Sequence, residues 1–201
     1  MKEFYIVYDV ETQKLDKHVP GGWDNVFGMG LSSAVTYNSK TDLYEFWNDT
    51  DKLCEYLNGN VCIGFNSIWF DSKVLLGNDR SIELDGSTKN EKYSWKNIDI
   101  YVEMWRNILD LDRSNYPEIL KKIKQQRIQH GIFGLGPTSA ATLNITKSGH
   151  GEDAPMLFQQ GKISELLQYN LQDVRVTKEL YLFIKKYRYM VNGNYDIIQF
   201  K

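Results

Sequence analysis

Apolar side chains stand on both faces of the stretch FYIVYDVET, residues 4–12. Alternation puts Phe4, Ile6, Tyr8 and Val10 on one face and Tyr5, Val7, Asp9 and Glu11 on the other. A strand apolar on both sides is a central one, covered by two layers. The segments 28–38 (GMGLSSAVTYN) and 42–48 (DLYEFWN) predict two further strands joined by a turn at SKT. A short helix follows over 51–59 and stops at Gly59; VCIGF, 61–65, is a short buried strand. The next segment, NSIWFDSKVLL, predicts a helix with Asn66 as its cap. Residues 77–97 are polar and turn-rich and predict a loop insertion. The pattern resumes at IDIYVEMW as a strand running into a helix, then a basic amphipathic helix over 117–131 and a short helical piece at TSAATLN. A glycine-containing loop, ITKSGHGEDAP, leads to the longest helix, 163–187, with an expected apolar stripe of Leu167, Leu171, Val174 and Tyr181. GNYDIIQF closes the chain as a strand. Strands lead and then alternate with helices, so the expected class is α/β: a central mixed five-stranded sheet flanked by helices, in a single domain over 1–201.

Three places in this pattern put acids where burial is expected. Asp9 and Glu11 sit one strand period apart on one face of a central strand, where unpaired charges repel and are rarely buried. Asp71 follows a buried strand near a helix start, where it also complements the helix dipole. Tyr169 and Asp173, in YNLQD, are one helical turn apart and close to the apolar stripe. An aspartate beside a core-facing stripe needs a partner. Four carboxylates from two strand regions and a helix can hold two hard divalent cations, and oxygen ligands favour Mg²⁺ or Mn²⁺. Two such ions about 4 Å apart clamp a phosphodiester. Tyr169, one turn from a ligand, would then orient the attacking water.

Taken in order, DVET, NSIWFD and YNLQD resemble the three motifs of the DEDD 3′–5′ exonucleases. These enzymes share a ribonuclease H-like fold and include polymerase proofreading domains and ribonuclease D. The resemblance spans most of the chain. It is most specific over 141–181, which is similar to bacterial and phage-type exonuclease domains. It implies that Asp9, Glu11, Asp71 and Asp173 are the ligands of two divalent ions. It also implies that Tyr169 marks the tyrosine subgroup, since Gln168 stands where the histidine subgroup carries histidine. The implied activity is metal-dependent removal of nucleoside 5′-monophosphates from 3′ ends, with single-stranded DNA as the preferred substrate. Expected substrate contacts are Thr12, Asn66, Trp69, Phe70, Lys147 and His150. A structure-selective endonuclease on the same fold and a non-catalytic nucleic-acid-binding module are the alternatives, and the complete acid set argues against the second.

Composition narrows this picture little. Net charge is −2, so no global basic field advertises a DNA-coating protein. The run KKIKQQR reads as a solvated helix face or, less simply, a backbone-tracking patch. TKSG resembles the end of a phosphate-binding loop but lacks the upstream glycine, which excludes a nucleotide triphosphatase. Two cysteines, Cys54 and Cys62, are too few for a disulfide framework or a zinc cluster. With charges at 2, 3, 9 and 11 and no apolar run of membrane length, the expected setting is cytoplasmic, without a membrane partner.

Overall fold

A computed structural model describes residues 4–125, 131–147, 149 and 151–201. The chain forms an α/β structure around a mixed seven-stranded sheet. Its strands are β1 (Ile6–Thr12), β2 (Leu31–Asn38), β3 (Leu43–Trp47), β4 (Val61–Gly64), β5 (Ser81–Ile82), β6 (Ser87–Lys89) and β7 (Ser94–Asp99). Their order is β3-β2-β1-β4-β7-β6-β5. β1 pairs antiparallel with β2 and parallel with β4, β4 pairs parallel with β7, and β7, β6 and β5 continue antiparallel. The helices are α1 (Thr50–Leu57), α2 (Asp71–Leu76), α3 (Ile100–Ile108), α4 (Tyr116–Gln125), α5 (Leu135–Leu143), α6 (Asp153–Gln159) and α7 (Ile163–Tyr187). A separate hairpin of β8 (Tyr189–Val191) and β9 (Ile197–Gln199) ends the chain.

The two-sided burial of β1 divides the core. Ile6, Tyr8 and Val10 pack with α1, α2 and a 3₁₀ segment over Gly22–Met29. Tyr5 and Val7 pack on the other side with α3, α4, α5 and α7. Asp9 and Glu11 continue that second face, so they project toward α7.

Three expectations change. Residues 77–97 are not a plain loop: β5, β6 and the start of β7 lie there and widen the expected five strands to seven. These strands are short and their exposed positions are polar, so little apolar patterning marks them. Asn66 does not cap a helix. It takes a left-handed φ of 62° in a turn, and α2 begins at Asp71 after Phe70. The cap chemistry sits instead on Asp99, whose carboxylate accepts from the amides of Tyr101 and Val102 at the start of α3. The buried face of α7 is also rotated from the expected stripe. Of Leu167, Leu171, Val174 and Tyr181 only Val174 is fully buried, and the face is led by Leu166, Tyr169, Asn170, Asp173, Thr177 and Leu180. Polar residues occupy the centre of that face because it covers the acids of β1. The described part of the run KKIKQQR is solvated, with Lys121, Lys122 and Lys124 exposed and Ile123 buried; Arg127 lies outside the described residues. Among the described residues no helix is long and apolar enough to cross a membrane.

Candidate metal centre

The last turns of β1 and the middle of α7 meet at one point. Carboxylate oxygens of Asp9, Glu11 and Asp173 lie within 4.8 Å of one another, an arrangement that can hold a metal ion. Asp71 stands beside this group rather than in it. Its Oδ1 accepts from the Val10 amide at 2.9 Å, which ties the start of α2 to β1.

Crowded acids in a dry cleft resist ionisation. Burial, then the charges of Asp71, Glu11 and Asp173, holds the Asp9 carboxyl well above the usual carboxylate range. Burial and Asp173 do the same to Glu11. Asp71 is pushed up to about 7 by burial, against the opposing pull of the Val10 amide. Asp173 is raised by burial and pulled back by Lys147, whose Nζ lies 2.5 Å from Asp173 Oδ2. Burial lowers the Lys147 pKa, but Asp173 and Tyr169 outweigh it, so the ammonium stays charged. That ammonium also sits 4.8 Å above the Tyr169 ring. One cation thus stands against several carboxylates.

Among the described residues, Asp173 Oδ1 and the Tyr169 hydroxyl are buried without a hydrogen-bond partner. Such atoms are costly to bury and call for a ligand. Together with the all-oxygen acid set, they fit a hard divalent cation. Burial and the charge of Asp173 raise the Tyr169 pKa above its ordinary value, so the hydroxyl keeps its proton and acts as a donor, not a base.

Two residues that position the acids, Asn170 and Asp99, are not among the expected site residues. Asn170 donates from Nδ2 to Asp9 Oδ2 at 2.6 Å and accepts from the Ser33 hydroxyl at 3.4 Å, so it sets the Asp9 side chain from α7. Its signal was its place between Tyr169 and Asp173 on a buried face. Asp99 is fully buried and accepts from the amides of Asn66 and Ile68, both at 2.8 Å, fixing the turn that delivers Asp71. Its signal was an acid between an apolar strand and an apolar helix. Four backbone amides hold its carboxyl near 6 despite burial, which alone would push it higher.

The expected substrate contacts are distributed unevenly. Thr12 is buried and its hydroxyl donates to the Lys14 carbonyl. Trp69 packs against the α7-side core, whereas Phe70 packs against the opposite core, its ring centroid 6.2 Å from that of Trp23. Asn66 contributes its backbone amide to Asp99, and its Oδ1 is buried without a partner among the described residues. Lys147 is in the centre, and His150 lies outside the described residues. Gly149 takes a φ of 78°, and a Cβ there would lie 3.2 Å from the Tyr169 ring, so glycine lets the loop pass close to the tyrosine. A cleft of about 500 Å³ opens between α6 and α7 with Gln168 and Tyr169 in its wall. No protein-family model matches the chain, and no curated protein matches it at a significant level.

Proposed function

We propose that this chain is a metal-dependent 3′–5′ exonuclease with a ribonuclease H-like fold, hydrolysing phosphodiester bonds and releasing nucleoside 5′-monophosphates. The observation that carries the reading is the convergence of Asp9, Glu11 and Asp173, with Asp71 alongside, at the positions that the motif resemblance names. Asp9, Glu11, Asp71 and Asp173 would hold two divalent ions, Mg²⁺ or Mn²⁺. Bound there, the ions supply Lewis-acid stabilisation of phosphoryl charge and lower the pKa of the attacking water. The protein's own residues do the rest. Asn170 keeps Asp9 oriented through its 2.6 Å hydrogen bond. The protonated Tyr169 hydroxyl orients the water. Lys147 pulls the Asp173 carboxyl back toward ionisation against burial and offers the cleft a positive charge for phosphate.

Product analysis tests this directly. Single-stranded DNA and RNA labelled at either end would be incubated with Mg²⁺, with Mn²⁺ and with chelator. Stepwise shortening from the 3′ end to mononucleotides, abolished by chelator, is the expected result. Cutting of circular strands would instead indicate an endonuclease. Binding of strands with no cleavage under any metal would indicate a non-catalytic module.

Tyr169→Phe separates orientation from ligation. The ring and its packing are kept, and only the hydroxyl is lost. The expected fall in kcat is about 10²-fold, the low end for an orienting or acid–base group, with metal affinity unchanged. Titration with Mn²⁺ beside single-strand kinetics checks both. Wild-type rates would reduce Tyr169 to packing, and lost metal affinity would make it a ligand.

A further inference from the structure

The helix that carries Asp173 also carries a concentration of positive charge on its other side. Between 174 and 188 stand Arg175, Lys178, Lys185, Lys186 and Arg188, with Glu179 as the one carboxylate, in a chain whose net charge is −2. At 100° per residue, positions 175, 178, 185 and 186 share one third of the helix circumference, opposite the buried face of Leu166, Asp173, Leu180 and Ile184. The cations are interleaved with aromatic rings. Arg175 lies 5.4 Å from the centroid of Tyr44, Lys178 lies 4.5 Å from that of Tyr37, and Lys186 lies 4.8 Å from that of Tyr187. The nearby acids are engaged already: Glu179 pairs with Lys178 at 3.3 Å, and Asp42 accepts from the Tyr37 hydroxyl at 2.8 Å.

The strip starts level with the acid cluster, on the far side of the same helix. Arg175 is two residues beyond Asp173, about 3 Å along the helix axis and about 200° round it. Across the sheet, Asp9 is in register with Val35 and Val35 with Phe46, so these three share a face. Phe46 is 49% exposed on edge strand β3, beside Tyr44. At two strand spacings, the Phe46 backbone lies about 10 Å from that of Asp9, across the buried Val35. From Arg175 to Lys186 the helix advances about 16 Å, the length of about five nucleotides of a stacked strand.

From this placement we infer that a nucleic-acid strand whose end occupies the acid cluster turns round α7 and runs its upstream part along the basic, aromatic strip of α7 and β3. The inference rests on the proposed nuclease reading and adds a second, sequence-independent contact to it. Charge complementarity selects a polyanion, and aromatic side chains such as Phe46 and Tyr44 select one with bases to stack. The strip grips only strands long enough to reach it.

The test uses the whole chain carrying Arg175→Gln, Lys185→Gln and Lys186→Gln together, all three being exposed positions. Fluorescence anisotropy in EDTA measures binding of a labelled single-stranded 20-mer over a range of salt, and hydrolysis of an unstructured 4-mer is followed with Mn²⁺. The variant should bind the 20-mer roughly tenfold more weakly, with a log–log salt slope smaller by about 2, for three lost phosphate contacts. It should cleave the 4-mer at the wild-type rate and melt at the wild-type temperature. Unchanged 20-mer affinity and slope, with a wild-type enzyme that cleaves, would overturn the strip and leave the nuclease reading standing. Loss of 20-mer binding in the variant, with a wild-type chain that cleaves neither strand, would leave the strip standing and overturn the nuclease reading. Poly-glutamate of matched charge competing as well as the 20-mer, for wild type but not for the variant, would overturn nucleic acid as the occupant in favour of an acidic protein.

Discussion

Asp9→Asn is expected to lower metal-dependent phosphodiester hydrolysis by at least about 10³-fold, some 4 kcal/mol of transition-state stabilisation, while the metal-free protein melts at an equal or higher temperature. The two halves of this expectation have one cause. Burial, and then the like charges around it, hold the Asp9 carboxyl well above the usual range. Ionising it therefore costs the metal-free fold, and an amide removes that cost. The hydrogen bond from Asn170 need not be lost, because the asparagine Oδ1 can accept from the same Nδ2. Asp173→Asn should lose activity to the same extent but gain less in stability than Asp9→Asn. It deprives the largely buried Lys147 ammonium of its partner at 2.5 Å, and losing a charge-assisted hydrogen bond typically costs about 1–3 kcal/mol. Steady-state rates with Mn²⁺, read beside thermal melts in EDTA, separate the variants. A variant of Asp9 that retains the wild-type rate would remove the acid cluster from the chemistry. Two variants that melt alike would mean that Lys147 is not the counter-ion of Asp173.

These residues show which parts of the molecule were legible in the sequence. The two-sided apolar pattern of β1 read correctly as a central strand, because burial on both faces leaves few positions for polar residues. The exceptions, Asp9 and Glu11, therefore stood out. β2 and β4 were readable for the same reason, whereas the exposed edge strand β3 was readable from its aromatic-rich run and α1 from its stop near Gly59. β5 and β6 were not: two- and three-residue strands near the sheet edge bury too few side chains to leave a pattern. Asn66 misled because asparagine serves both a cap and a left-handed turn, and the neighbouring Asp99 decided the matter from a strand 33 residues away. Asn170 and Asp99 act through hydrogen bonds to other elements, and no local spacing encodes such partners. The stripe of α7 was displaced for a related reason. Its most buried positions face the carboxylates of β1, so they are polar, and apolar periodicity followed the flanks of the helix instead.

The acid cluster should also make stability depend on pH and metal in opposite senses. Asp9, Glu11, Asp71 and Asp173 all have folded pKa values above their ordinary ones, Asp71 at about 7. A carboxyl raised on folding contributes stability that is fully present below its unfolded pKa, near 4, and is lost as pH rises through the folded value. In EDTA Asp9, Glu11 and Asp71 therefore favour the fold at pH 5 and oppose it at pH 8. The melting temperature should fall across that window, with part of the drop near pH 7 removed by Asp71→Asn. A divalent cation binds the ionised acids, so its effect has the reverse sign. It competes with protons at pH 5 and meets free carboxylates at pH 8. At a hundredfold excess over its dissociation constant it stabilises by about 2.7 kcal/mol. For a chain of this size that is roughly 5–10 °C. Melts at pH 5, 6.5 and 8, each with EDTA and with saturating Mn²⁺, give the comparison. The gap between the two curves should open as pH rises and should close at every pH in Asp9→Asn. A gap of constant width, or one wider at pH 5, would mean that the stabilising ion is held elsewhere than by these four carboxylates.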